Sequence, residues 1–297
     1  MAQTILTLAP PGTSGDSTDP FEDRRVIVVE RKIEYPVTEL WADVFVVGPE
    51  AKQLYPMLAR AKCRLAESID KADIVFFSGS SSDVCPALYG EAPHSTVHWD
   101  PRVDQKNIEA FLTCIYAGIP MVGICGGAQF LHVANHGKLF QHIDNHNNGS
   151  HEIYLTQDRY YINEVSSCHH QACMDNSENG MIVLAEVEDL STTKWSKPNV
   201  CHTGLFGAEE MKDIEAFWYP DTVCLGVQGH PEYSGFDEYT AWFTKMIEQY
   251  IMHNPDIELV GEERQKIQRL KQEVIDRRSY SVPKVFYDYL AKQKENN

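Results

Sequence analysis

No two of the eight cysteines stand in a C-x-x-C pair, so a sequence-local thiolate zinc site is not expected, nor is a small disulfide scaffold. Basic residues are scarce. Against 43 Asp and Glu there are 26 Lys and Arg, and the net charge of −17 argues against nucleic acid or an anionic membrane as partner. No apolar run approaches ~20 residues, so no transmembrane helix is expected. The first twenty residues lack a basic start followed by a long apolar stretch, so no secretory leader is expected either. Free cysteines without a leader fit a reducing, cytoplasmic compartment. What remains is an ordinary globular composition, 43% hydrophobic and 23% charged over 297 residues.

The chain alternates apolar runs with helical patterns. Residues 1–22 are rich in Pro, Gly, Ser and Thr and read as a flexible arm. Strands are expected at Val26–Val29, Val44–Val47, Asp73–Phe77, Met181–Ala185, Ile214–Trp218 and Val223–Val227. Helices are expected at Ala51–Lys62, from Pro101 to Ala117, behind Cys125 as far as Gly137, and at Phe236–Met252. The second has Asp100 as N-cap, Pro101 at its first position, and Gly118 and Pro120 as its stop. Apolar strands alternating with helices imply an α/β fold, flavodoxin-like, with a parallel or mixed sheet covered on both faces. This domain is placed at 23–254. Residues 255–297 read as a charged helical extension, with Ile267, Leu270 and Val274 as a thin apolar stripe. From Gly261 onward nine Lys and Arg face six Asp and Glu, so this tail is basic on an acidic protein.

Met121-Val122-Gly123-Ile124-Cys125-Gly126-Gly127-Ala128-Gln129 carries the sharpest chemical signal. Glycines around the cysteine let a strand turn directly into a helix, pushing Cys125 out with its sulfur exposed. The N–H groups and dipole of the helix behind would lower its thiol pKa. A nucleophile of this kind needs a base and a group to orient the base. Gln228-Gly229-His230-Pro231-Glu232 supplies both after the Val223–Val227 strand, with His230 and Glu232 on one face of an extended segment. Ser166-Ser167-Cys168-His169-His170-Gln171 is a second histidine-bearing segment, open to roles as base, metal ligand or substrate wall.

Together, Gly123–Gln129, Ser166–Gln171 and Gly226–Glu232 resemble the class I (triad) glutamine amidotransferases. With the loop Ser78–Glu91, Asp100-Pro101-Arg102 and Asp104, the chain is most similar to the stand-alone γ-glutamyl hydrolase branch, such as the γ-glutamyl-GABA hydrolases. The resemblance spans Ala72 to Tyr233. It implies a Cys125–His230–Glu232 triad that cleaves the γ-glutamyl amide of glutamine or a γ-glutamyl amine through a thioester. It also implies an oxyanion hole from the N–H of Gly126 and one from the Gly79-Ser80 loop. Gln129 and Ser167, Cys168, His169 and His170 would line the glutamyl pocket. Two positions depart from that branch. Gly126 stands where Arg is usual and Gly229 where an aromatic is usual, and both are expected to widen the pocket.

The implied ligand is a small molecule, with no cofactor and no metal. An alternative is a glutaminase subunit supplying ammonia to a separate synthetase or amide-ligase partner; another is an inactive binding or regulatory homologue. Homo-oligomerisation is left open. The stretch with His136, His142, Asp144, His146 and His151 lacks tight ligand spacing and, being rich in Asn, reads as a solvated loop.

Overall fold

A computed structural model describes residues 36–147, 149–187, 213–252 and 281–295 in full, together with the backbone of four strands, 2–8, 26–32, 193–197 and 200–203. The chain divides into two units, Met1–Pro36 and Val37–Asn297. In the first, β1 (Ala2–Leu8) pairs antiparallel with β2 (Val26–Lys32). Residues 2–8 are therefore extended and paired, which corrects the reading of 1–22 as an arm throughout.

The second unit is built on an eleven-stranded mixed sheet. Its parallel half runs in the order β16 (Cys224–Val227), β6 (Met121–Ile124), β5 (Ile74–Phe77), β3 (Asp43–Val47) and β4 (Arg64–Leu65). An antiparallel wing continues from β16 through β15 (Asp213–Tyr219), β12 (Ile182–Val187) and β9 (Gly149–Leu155) to β10 (Tyr160–Ser167). Two short strands, β7 (Leu139–Phe140) and β11 (Ala172–Cys173), pair with each other, and β11 also pairs with β15. A three-stranded sheet joins β8 (His142–Ile143) to β13 (Thr193–Lys197) and β14 (Val200–Thr203).

The β5, β6 and β16 strands are buried at every position, as both-face coverage requires. Adjacent residues go to opposite layers. Phe76 joins Leu54, Ile124, Tyr239 and Phe243 on the side of α1 (Ala51–Arg60) and α4 (Asp237–Ile247). Phe77 joins Phe111, Phe130 and Leu131 on the side of α2 (Pro101–Ala117) and α3 (Gly126–Ala134). Asp100 caps α2 by accepting the Arg102 N–H at 2.9 Å, and Gly118 ends it at φ 62°. α4 runs on into a π-helical turn, Glu248–Met252.

The last helix, α5 (Lys284–Glu295), packs into the second layer. Phe286 is fully buried, stacked on Phe130 at 5.8 Å between centroids and edge-on to Phe111 at 6.1 Å. This part of the extension is thus a piece of the core, while Ile267, Leu270 and Val274 lie outside the described residues.

Candidate active site

The register of β6 with β16, Ile124 opposite Val227, sets Cys125 beside Gln228 where both strands end. The Cys125 N–H donates to the Val227 carbonyl at 2.9 Å. Cys125 has φ 49° and ψ −114°, so a non-glycine residue occupies the positive-φ corner from which α3 starts. Strain of this kind is held only where the surroundings fix it.

The sulfur, however, is not exposed. Cys125 is only 6% accessible, because the Ser78–Ser80 loop and the β16 segment close around the turn. Burial pushes its thiol pKa up, contrary to the lowering expected from the helix alone; a hydrogen bond and the charge of His230, and the Gly126 N–H, pull the other way. Gln228 Nε2 donates to the sulfur at 3.7 Å. Gln129 stands behind it, donating to Gln228 Oε1 at 3.1 Å and to the Gln171 carbonyl at 3.0 Å. The Gln129 amide therefore supports Gln228, a residue the sequence reading named only as part of a motif.

His230 is held from four directions. Its N–H donates to Ser166 Oγ at 2.7 Å. Its Nδ1 meets Glu232 Oε1 at 2.7 Å, and the Glu232 side chain has no exposed surface. Tyr233 stacks on the ring at 4.4 Å and 10°. Cys125 and Cys168 both lie close enough to act on the imidazole electrostatically. Burial opposes the charged ring, yet the neighbouring Cys125 and Cys168 and the Glu232 carboxylate carry the His230 pKa well above its ordinary value. Glu232 thereby fixes Nδ1 as the protonated nitrogen facing the carboxylate and leaves Nε2 for the sulfur.

The loop after β5 completes the surroundings. A Cβ built on Gly79 would lie 2.7 Å from His230 Cε1 and 2.7 Å from Glu50 Oε2. Glu50, half-buried and facing His230, carried no sequence signal, and burial raises its carboxyl pKa. A Cβ on Gly126 would meet Ser80 Cβ at 3.2 Å, so Gly79, Ser80 and Gly126 surround the turn together. Glycine at 126 keeps that loop close, where an arginine would crowd it.

Two expectations about this pocket change. A Cβ at Gly229 would sit 2.5 Å from Val165 Cγ1 and 3.1 Å from Tyr239 Cε1. The room left by the missing aromatic is filled by Val165 and Tyr239, so Gly229 adds no width. Of the second histidine segment, Ser166 bonds to the His230 backbone, and only Cys168 is exposed. Ser167 Oγ donates to the His146 carbonyl at 3.0 Å. His170 Nε2 pairs with Asp83 Oδ1 at 2.9 Å. The buried His169 ring lies against His146, 4.9 Å between centroids. Nor is the stretch from His136 to His151 a solvated loop. It contributes β7, β8 and the start of β9, and His146 is only 5% accessible.

A separate cleft of about 610 Å³, lined by Val47, Gly48, Pro49, Arg102, Lys106 and Asn107 among others, includes none of Cys125, His230 or Glu232.

Comparison with known proteins places these features in context. Residues 54–190 match the family model described as Peptidase C26. That stretch contains Cys125 and Ser167–His170; His230 and Glu232 follow it. A Mycobacterium tuberculosis protein named as a candidate glutamine amidotransferase is 30% identical over 169 residues, 51% of this chain and 48% of that protein. A candidate glutamine amidotransferase-like protein of Lactococcus lactis is 27% identical over 179 residues, 54% of this chain and 66% of that one. The match thus spans about half the length of the first relative and under two thirds of the second. Among solved structures, a glutamine amidotransferase from Thermotoga maritima aligns with a TM-score of 0.45 at 11% identity, covering 79% of this chain and 95% of that one.

Proposed function

We propose that the chain, whose residues 54–190 match the Peptidase C26 family model and which is similar to relatives named as glutamine amidotransferases, hydrolyses the amide of a γ-glutamyl compound, glutamine or a γ-glutamyl amine, through a Cys125 thioester. The observation that carries this reading is a His230 bound to the enclosed Glu232, on the segment that follows the strand paired beside the positive-φ turn of Cys125.

The steps follow from those contacts. His230 takes the thiol proton and the Cys125 sulfur attacks the γ-carbonyl carbon, forming a C–S bond and placing charge on the carbonyl oxygen. The N–H of Gly126 and one from the Gly79-Ser80 loop are the donors to that oxygen, each worth ~3 kcal/mol in such sites. The intermediate collapses, the C–N bond breaks, and the leaving nitrogen takes the proton from His230. A water then gives a proton to His230 and attacks the thioester, the C–S bond breaks, and glutamate departs. Glu232 keeps the imidazole oriented through both proton transfers. Gln228 and Cys168 border the sulfur, and the half-buried Glu50 offers a carboxylate to the ammonium of a free amino-acid substrate.

The test is glutamate release from L-glutamine and a panel of γ-glutamyl amines, wild type beside Cys125→Ala. Steady turnover of one of them, lost in the variant, is the expected result. Labelling of Cys125 by a glutamine-analogue electrophile without turnover would shift the reading to an ammonia-supplying subunit that needs a partner. The absence of both turnover and labelling would refute an active enzyme.

A further inference from the structure

We propose that His146, His151, His169 and Glu215 form a closed four-donor zinc site inside the antiparallel wing, behind the wall of the active site. One ligand atom from each of the four lies within 4.8 Å of all the others. They come from four separate places in the chain: the loop between β8 and β9, β9 itself, the segment after β10, and β15.

The rings are set for metal rather than merely close together. His146 Nδ1 lies 2.9 Å from the Asp144 carbonyl, His151 Nδ1 3.2 Å from that of Glu152, and His169 Nδ1 2.9 Å from that of Gln171. A carbonyl can only accept, so each Nδ1 carries the hydrogen and each Nε2 keeps its lone pair. Backbone anchoring of the far nitrogen is the usual outer support of a metal-bound imidazole. His151 Nε2 lies 3.6 Å and His169 Nε2 3.9 Å from Glu215 Oε1, both beyond hydrogen-bond reach. Neither nitrogen has a hydrogen-bond partner. Two buried imidazole nitrogens thus converge on one carboxylate without bonding to it, which a protein interior does not otherwise favour.

Three imidazoles and one carboxylate suit a tetrahedral zinc ion, with Zn–N near 2.0–2.1 Å and donors about 3.3 Å apart. The present spacings, up to 4.8 Å, would have to contract by as much as about 1.5 Å, through side-chain adjustments. Asp213 is two positions before Glu215 on the same face of β15.

The position suggests what the ion would do. His169 lies three positions after Ser166, whose Oγ accepts the His230 N–H at 2.7 Å. The Glu215 carbonyl accepts the Gln228 N–H at 2.8 Å, and Gln228 reaches the Cys125 sulfur. An ion at the cluster would therefore tie together two segments that border the reaction centre. With all four donors from the protein, its task would be structural and not catalytic.

The experiment uses the full chain, freed of metal by chelator and dialysis, then titrated with Co(II) and back-titrated with Zn(II). One Co(II) per chain is expected, with the strong visible bands of a tetrahedral ion and no thiolate charge-transfer band, displaced by one equivalent of Zn(II). Zinc should raise the melting temperature of the wild type and of Cys125→Ala equally, since the site does not depend on the proposed chemistry. His151→Gln and His169→Gln should lose at least ten-fold in affinity and show no zinc-dependent shift in melting temperature, with circular dichroism confirming that they fold. Should they not fold, zinc-edge X-ray absorption on the wild type decides: nitrogen and oxygen ligands without sulfur support the site. Absence of stoichiometric uptake, uptake that survives both histidine substitutions, or sulfur in the ligand shell overturns it.

Discussion

At position 232 a carboxylate with no exposed side-chain surface meets His230 Nδ1 at 2.7 Å. Glu232→Gln keeps the volume but replaces an anion by a neutral amide, so His230 loses its charge partner and its preferred tautomer. In steady-state kinetics of γ-glutamyl amide hydrolysis, kcat should fall by about 10²–10⁴-fold with KM changed far less. An equal loss in both would mean that Glu232 serves substrate binding. The placement of Cys125 and of the His230–Glu232 pair at the ends of adjacent apolar strands was legible in the sequence, because each sits in a short motif that follows such a strand. Tyr233 and Glu50 were not. An aromatic after the motif and an acid before a helix become functional only when the fold brings them to the imidazole. The exposure of Cys125 was misread for the same reason: the strand-to-helix turn is local, whereas the Ser78–Ser80 loop that covers it arrives from elsewhere in the chain.

Among the elements, α2 was fully readable, since Asp100, Pro101 and Gly118 each act through local backbone geometry. The wing strands β9 and β10 were missed. Gly149–Leu155 begins with four residues that are exposed or only half-buried, and its histidine belongs to a buried cluster, so no apolar alternation marks it. The α5 helix carries many charges, Lys284, Asp288, Lys292, Lys294 and Glu295, and was expected as a helical extension packed on the domain or on a partner; one aromatic, Phe286, anchors it in the core. Phe286→Ala should destabilise the protein by about 3–5 kcal/mol in urea denaturation, the usual cost of emptying a buried phenylalanine site. Tyr287→Phe, at an exposed position, should stay within about 0.5 kcal/mol. Equal effects of the two would mean that α5 is held by its surface contacts.

For the molecule as a whole, stability should carry a pH signature from Asp104. This residue of α2 is 2% accessible, and burial raises its carboxyl pKa to about 7, with the Tyr289 hydroxyl donating to it at 3.1 Å. An unfolded aspartate titrates near 4. The folded form therefore binds the proton more tightly, and stability is fully present below about pH 4 and lost as pH rises to about 7, on the order of 4 kcal/mol. Asp104→Asn should flatten that part of the stability profile, read from denaturant midpoints across pH; an unchanged profile would place the titration elsewhere. The mixed sheet itself was foreseeable from strands such as Ile74–Phe77, apolar at every position. What composition and periodicity could not foresee is that about a hundred residues, wing included, are inserted between two neighbouring strands of the parallel half, β6 and β16. That insertion has a kinetic consequence. Cys125 and His230 meet only after a very long loop has closed, and such non-local pairings form late and slowly. On refolding from denaturant, helical signal should return well before hydrolysis, and during that interval the strained turn at Cys125 has no histidine to hold its proton.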